Sequence, residues 1–190
     1  KVNSGLRFLF VGRLLKDKGI IEYLEAANNI SRKYPDIIFE IVGEMGYANK
    51  TAITEEESKE WLKNKQIQYF GKQDDMVKIL SETDVMVLPS YREGLSKSLI
   101  EAASMNLPIV TTDVPGCREV VQHGKNGLLC KVKDTEDLQN KMEIMINLSQ
   151  DERLRMGEEG RKIVVNEYSE QMVINLYKAR INELISSHNN

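Results

Sequence analysis

Two segments of the sequence combine glycines with charges in the manner of ligand-binding loops. In Gly12-Arg13-Leu14-Leu15-Lys16-Asp17-Lys18-Gly19, two glycines bracket three cations where an apolar run gives way to a helical pattern. Arg13 as a planar fork and Lys18 as a point charge can converge on an anion such as a diphosphate; the competing reading is a solvated basic turn. In Pro89-Ser90-Tyr91-Arg92-Glu93-Gly94-Leu95-Ser96-Lys97-Ser98-Leu99-Ile100-Glu101-Ala102, Gly94 lets backbone approach a ligand closely. A helix beginning near Ser96 would turn its free amide groups toward phosphate. Glu93 precedes that helix, where its carboxylate can accept hydroxyl hydrogen bonds from a ligand or simply favour the helix dipole. Glu101 falls inside the helix, so the two carboxylates would meet different parts of one elongated ligand unless Glu101 is merely solvated. Ser98 can donate to a phosphate or act as a local cap.

Other chemistries find less support. The GxxxxGK[ST] spacing of a P-loop is absent, and Gly43-Glu44-Met45-Gly46 lacks the third glycine of a dinucleotide fingerprint. His123 lies in a polar turn and His188 near a terminus, so neither is a persuasive general base, and no Ser-His-Asp or Cys-His set emerges. Cys117 and Cys130 have no metal-ligand companions at short spacing, which argues against a zinc site or a disulfide scaffold and leaves a reducing cytoplasm as the default compartment.

The elements that must position these loops follow from periodicity. Short apolar runs at 8–11, 37–42, 67–70, 85–88, 109–111 and 128–130 alternate with amphipathic stretches such as Ile20, Leu24, Ala27 and Ile30. Strand, helix, strand repeats imply parallel strands. Runs that are apolar throughout imply strands covered on both faces, hence an α/β doubly wound sheet of about six strands with a Rossmann-like order. Ligands of such sheets sit beyond the carboxyl ends of the strands, where both charged loops fall. Thr54 with Glu57 and Ser149 with Glu152 fit capping boxes, and Asp134 can cap a helix carrying Leu138, Met142 and Met145. The polar stretch 44–49 reads as a loop into a surface helix with Trp61 and Leu62 inward. Helical segments near 135–148, 150–166 and 169–188 close the chain, either wrapping the sheet or crossing to a partner.

Composition narrows the classes further. The 190 residues read as one domain, 1–190, without repeats or a flexible linker. A net charge of −3 removes the general basic field that nucleic-acid or anionic-membrane binding requires, and 41% hydrophobic residues suffice for a core. No apolar run approaches the roughly 20 residues of a membrane span. The start, Lys1-Val2-Asn3-Ser4-Gly5, has neither an initiator Met nor a signal-peptide core, and suggests a cut inside a longer protein with an N-terminal partner.

Glu93 and Glu101, separated by seven residues after a strand ending in Pro89-Ser90, resemble the E-x7-E motif of retaining glycosyltransferases of the GT-B fold, in particular glycosyltransferase family 4. Phe10-Val11-Gly12-Arg13-Leu14 with Lys18-Gly19 resembles that family's diphosphate-binding start of the C-terminal domain. The segments 112–121 and 124–129 resemble its downstream glycine turn and the loop ahead of its last strand. The resemblance covers residues 7 to 180. It implies one half of a GT-B enzyme, the donor-binding C-terminal domain, with a nucleotide-diphosphate sugar across the carboxyl edge of the sheet and UDP as the favoured nucleotide. Arg13 and Lys18 match the pair that neutralises the diphosphate, so no metal or other cofactor is expected. Glu93 matches the carboxylate at the hydroxyls of the transferred sugar, with Gly94, Leu95, Ser96 and Lys97 beside it and Ser98 near the phosphate. Glu101 matches the residue that holds the ribose. Gly12, Gly43 and Gly71 fall at strand ends beneath the donor, the base lying near Gly71 and residues 72–76.

Retention in such enzymes is attributed to attack from the face that the diphosphate leaves, so Glu93 need not be a nucleophile. The sugar would pass to a polysaccharide, glycoconjugate or lipid-linked acceptor held by the missing N-terminal domain, through which any membrane contact would run. The isolated domain would bind without turnover. Many relatives carry an aromatic and a glycine after the first Glu, whereas this chain reads Gly94-Leu95-Ser96, which puts sugar specificity in doubt. The alternatives are a noncatalytic nucleotide-binding module and a nucleotide-sugar epimerase of the same fold.

Overall fold

The computed structural model describes residues 5–46 and 49–188. Residues 1–4, Tyr47 and Ala48, on which parts of the expected start and of the polar loop fall, lie outside them. Six parallel strands form one sheet in the order β3-β2-β1-β4-β5-β6. They are β1 (Arg7–Val11), β2 (Ile38–Val42), β3 (Ile67–Tyr69), β4 (Val85–Leu88), β5 (Ile109–Thr112) and β6 (Gly127–Cys130). This is the α/β Rossmann-like arrangement expected, with strand boundaries within a residue of the apolar runs.

Eight helices accompany the strands among the described residues: α1 (Ile20–Lys33), α2 (Glu55–Trp61), α3 (Met76–Ser81), α4 (Lys97–Ser104), α5 (Pro115–Arg118), α6 (Thr135–Asn147), α7 (Gln150–Glu167) and α8 (Glu170–His188). Because the chain winds outward from β1 in one direction and from β4 in the other, right-handed crossovers put α1 and α4 on opposite faces. Helix α6 joins α1 on its face and α7 joins α4 on the other.

The core is continuous through the sheet. Phe8 stacks on Phe39 with ring centroids 5.7 Å apart, and Tyr23 of α1 tilts against Phe10 at 5.5 Å. The fully buried Tyr23 hydroxyl donates to the Phe8 carbonyl at 2.8 Å, so its polar end is satisfied inside an apolar layer. Trp61 packs on this core, but Leu62, expected inward beside it, is 43% exposed. Successive helical side chains diverge by about 100°, so neighbours cannot share one apolar face. The expectation that the helical tail wraps the sheet holds for α6 and α7 but not for α8, whose Leu176, Tyr177, Ile181, Leu184 and Ile185 are exposed. No helix among the described residues is long and apolar enough to cross a membrane.

Candidate functional site

The strand order reverses direction between β1 and β4, and the two charged loops follow those two strands. Such a reversal opens a crevice at the carboxyl edge, because the flanking loops leave toward opposite faces. The first loop runs through Gly12 and Arg13 into a single 3-10 turn, Lys16–Lys18, and then into α1. Gly19 at the junction has φ 75°, and a Cβ there would lie 2.0 Å from the Pro89 carbonyl oxygen. Only glycine accepts both the left-handed backbone and this approach.

The second loop is laced to the first by polar contacts. The Tyr91 amide donates to the Asp17 carbonyl at 2.9 Å and the buried Ser90 hydroxyl to the same oxygen at 3.2 Å. Lys18 Nζ donates to Glu93 Oε1 at 2.7 Å, with the two side chains only 21% and 10% exposed. Tyr91 is wedged against α1, its hydroxyl donating to Glu22 Oε1 at 2.5 Å and its ring lying under Lys133 Nζ at 4.8 Å. Burial, reinforced by the Glu22 carboxylate, pushes the Tyr91 phenol well above its ordinary range, so it stays a donor.

A third loop supports the second from below. A Cβ on Gly116 would fall 1.7 Å from the Gly94 carbonyl oxygen and 2.6 Å from that of Glu93, so α5 backs directly onto the Glu93-Gly94 peptide. Thr112 donates to the Ser90 carbonyl from β5. Helix α4 then begins at Ser96 as anticipated, yet the Ser96 side chain makes no cap hydrogen bond and instead lies 3.3 Å from the Ser98 hydroxyl. The first amides of α4 therefore receive no acceptor from the residue best placed to supply one.

The sequence-selected residues divide clearly. Lys18 and Glu93 are joined. Gly94 sits beside them, and Leu95 and Lys97 are exposed on the rim. Glu101 pairs instead with Lys97 at 3.4 Å, one turn apart on α4, so the two carboxylates face different cations. Arg13 is exposed at the end of β1. The three strand-end glycines form one ledge: the Gly43 amide donates to the Gly71 carbonyl at 2.9 Å, and a Cβ on Gly43 would strike the Gly12 oxygen.

His123 has a structural use, its Nδ1 accepting the Leu129 amide at 2.9 Å. Asp17, Glu22 and Tyr91 join the site through contacts that local pattern does not show: Tyr91 lies 69 positions from Glu22 and 74 from Asp17, and an aromatic in a polar loop becomes informative once β1 and β4 are known to be neighbours.

A Rossmann-like parallel sheet with paired charges at its switch point is the architecture of a ligand-binding α/β domain. Residues 2–163 match the family described as glycosyl transferases group 1, and the chain belongs to that family. It is 31% identical over 174 residues to the capsular polysaccharide biosynthesis glycosyltransferase CapM of Staphylococcus aureus, covering 90% of this chain and 44% of CapM. Among solved structures it superposes on the C-terminal domain of the glycosyl transferase group 1 family protein LpcC from Francisella tularensis, with TM-score 0.75 and 23% identity over 89% of each chain. It also superposes on Anabaena HepE in complex with UDP and glucose, with TM-score 0.78 and 19% identity over 98% of this chain and 49% of HepE. The chain thus spans about half the length of the curated relatives it matches.

Proposed function

We propose that this chain is the donor-binding, C-terminal half of a retaining glycosyltransferase of family 4, which transfers a sugar from a nucleotide diphosphate to a polysaccharide or glycoconjugate acceptor. The observation that carries the proposal is the juxtaposition of Lys18 and Glu93 across the switch point, at 2.7 Å and largely removed from water. A cation and a carboxylate so placed suit a ligand with a phosphate at one end and hydroxyls at the next. CapM is named for capsular polysaccharide synthesis and HepE holds UDP and glucose, which supports both halves of the reading.

In this scheme Lys18 and Arg13 neutralise the diphosphate, and they stabilise the charge that grows on it as the glycosidic bond breaks. Fixed donors of this kind contribute about 2.7 to 4 kcal/mol each to the transition state. Glu93 orients the sugar hydroxyls, and its negative charge favours a cationic anomeric carbon. The uncapped first turn of α4 offers amides to the phosphates, and Glu101 takes the ribose. The acceptor site belongs to a second domain, whose closure completes the cleft.

Calorimetric titration with UDP, GDP and ADP tests the reading. One nucleotide is expected to bind saturably, and Arg13→Ala, Lys18→Ala and Glu101→Ala are each expected to weaken it about 10- to 100-fold, the range of a hydrogen bond to a charged group. Binding that ignores all three substitutions in folded variants would overturn the assignment.

A further inference from the structure

Lys18 and Glu93 are assigned above to different parts of a donor, yet here they hold each other. Their contact is a charge-assisted hydrogen bond of 2.7 Å between side chains 21% and 10% exposed, and it bridges two loops from opposite sides of the switch point. Breaking such a pair by withdrawing one member leaves the other charge in a poorly hydrated place, which is costly. A nucleoside diphosphate takes Lys18 and gives Glu93 nothing: the carboxylate loses its cation and gains an anion as neighbour. A nucleotide sugar takes Lys18 but also brings hydroxyl groups that can donate to the vacated carboxylate.

We propose that the Lys18–Glu93 pair is a specificity latch, which opens for the intact nucleotide sugar and discriminates against the nucleoside diphosphate that remains after transfer. The inference rests on the donor-binding reading and adds to it a preference between substrate and product. The rigid backing of the Glu93 loop matters here. Gly116 lies under the Gly94 peptide and the Tyr91 amide is tied to Asp17, so Glu93 cannot easily follow Lys18 toward a phosphate. The latch would hold product affinity down without lowering affinity for the donor.

The test is calorimetric titration of the wild-type protein, Glu93→Gln, Lys18→Met and the double variant, with UDP, UDP-glucose, GDP and GDP-mannose as probes and thermal unfolding as the check on folding. The wild type is expected to bind the sugar form of its nucleotide more tightly than the bare diphosphate. Glu93→Gln is expected to tighten the bare diphosphate about tenfold and to erase that preference, because Lys18 is released and the carboxylate is gone. In the Lys18→Met background the same change at position 93 is expected to tighten the diphosphate clearly less than in the wild-type background, because only repulsion between carboxylate and diphosphate is then relieved. Unchanged or weaker diphosphate binding in Glu93→Gln would overturn the latch while leaving the donor-binding reading intact. Tightening of the same size without Lys18 would also overturn it, since simple repulsion then accounts for the whole effect. Failure of every probe to bind the folded wild type would overturn the donor-binding reading, and the latch with it.

Discussion

Helices α1 to α7 begin in two different ways. Those starting at Thr54, Asp75, Asp134 and Ser149 are closed by a side chain that accepts a backbone amide of the first turn, with full capping boxes at Thr54 and Ser149. Those starting at Gly19, Ser96 and Val114 receive no such bond. The uncapped starts follow β1, β4 and β5, at and beside the switch point, whereas the capped helices lie outside that centre. Amides at a helix start need an acceptor. Where the chain supplies its own, the helix start is closed locally; at Gly19, Ser96 and Val114 no side chain does so, and these three starts follow the central strands β1, β4 and β5.

The sharpest way to break this contrast is to give α1 a capping residue. Serine is among the best N-caps, so Gly19→Ser should stabilise α1 if only local preference decided the matter. At Gly19 the left-handed φ of 75° and the Pro89 oxygen 2.0 Å from the new Cβ oppose it. We expect a loss of about 3 kcal/mol or more, from backbone strain and a clash with main chain. For a chain of this length that lowers the melting temperature by about 6 to 12 °C. A variant as stable as the wild type would mean that the absent cap is not imposed by the approach of the two loops.

The same division explains how much could be read in advance. Capping boxes are local, so Thr54 with Glu57, Ser149 with Glu152, and Asp134 were all legible from residues three positions apart. The six strands were legible because continuous apolar runs have few other uses. The loops of the site were legible as residue types, since Lys18, Glu93 and Gly94 stand directly after apolar runs. How they meet was not: Lys18 to Glu93, Tyr91 to Asp17 and Gly116 to Gly94 depend on strand order, which no local pattern encodes. Ser96 shows the limit of local rules, being an ideal N-cap by type and position whose hydroxyl turns to Ser98 instead.

A smaller effect compares the two kinds of helix start through the same substitution. Asp134 accepts the Asp137 amide at 2.9 Å and Ser149 the Glu152 amide at 3.2 Å, so Asp134→Ala and Ser149→Ala should each cost about 1 kcal/mol of stability. Ser96→Ala removes no cap bond and should cost under about 0.5 kcal/mol. Urea unfolding of the three variants measures the difference directly. Equal losses at all three positions would remove the distinction on which the comparison rests.

The smallest effect separates the capped helices by their response to acid. Glu57 and Glu152, the third residues of the two capping boxes, are held below the usual carboxylate value of 4.5, Glu57 first by Lys16 and Glu152 first by Ser149. A carboxylate depressed in the folded state contributes stability above its unfolded value, and that contribution is lost as pH falls through the lower folded value. The double variant Glu57→Gln, Glu152→Gln keeps side chains able to close a capping box but removes their titration. Its stability should therefore fall less steeply below pH 4.5 than that of the wild type. Some acid sensitivity should persist, because Glu143 is also depressed, first by its hydrogen bond from Lys33. Urea midpoints measured from pH 6 downward distinguish the cases. Coincident curves for variant and wild type would show that the charges of Glu57 and Glu152 add nothing to the boxes they close, leaving hydrogen-bond geometry as the whole of the difference between capped and uncapped helices.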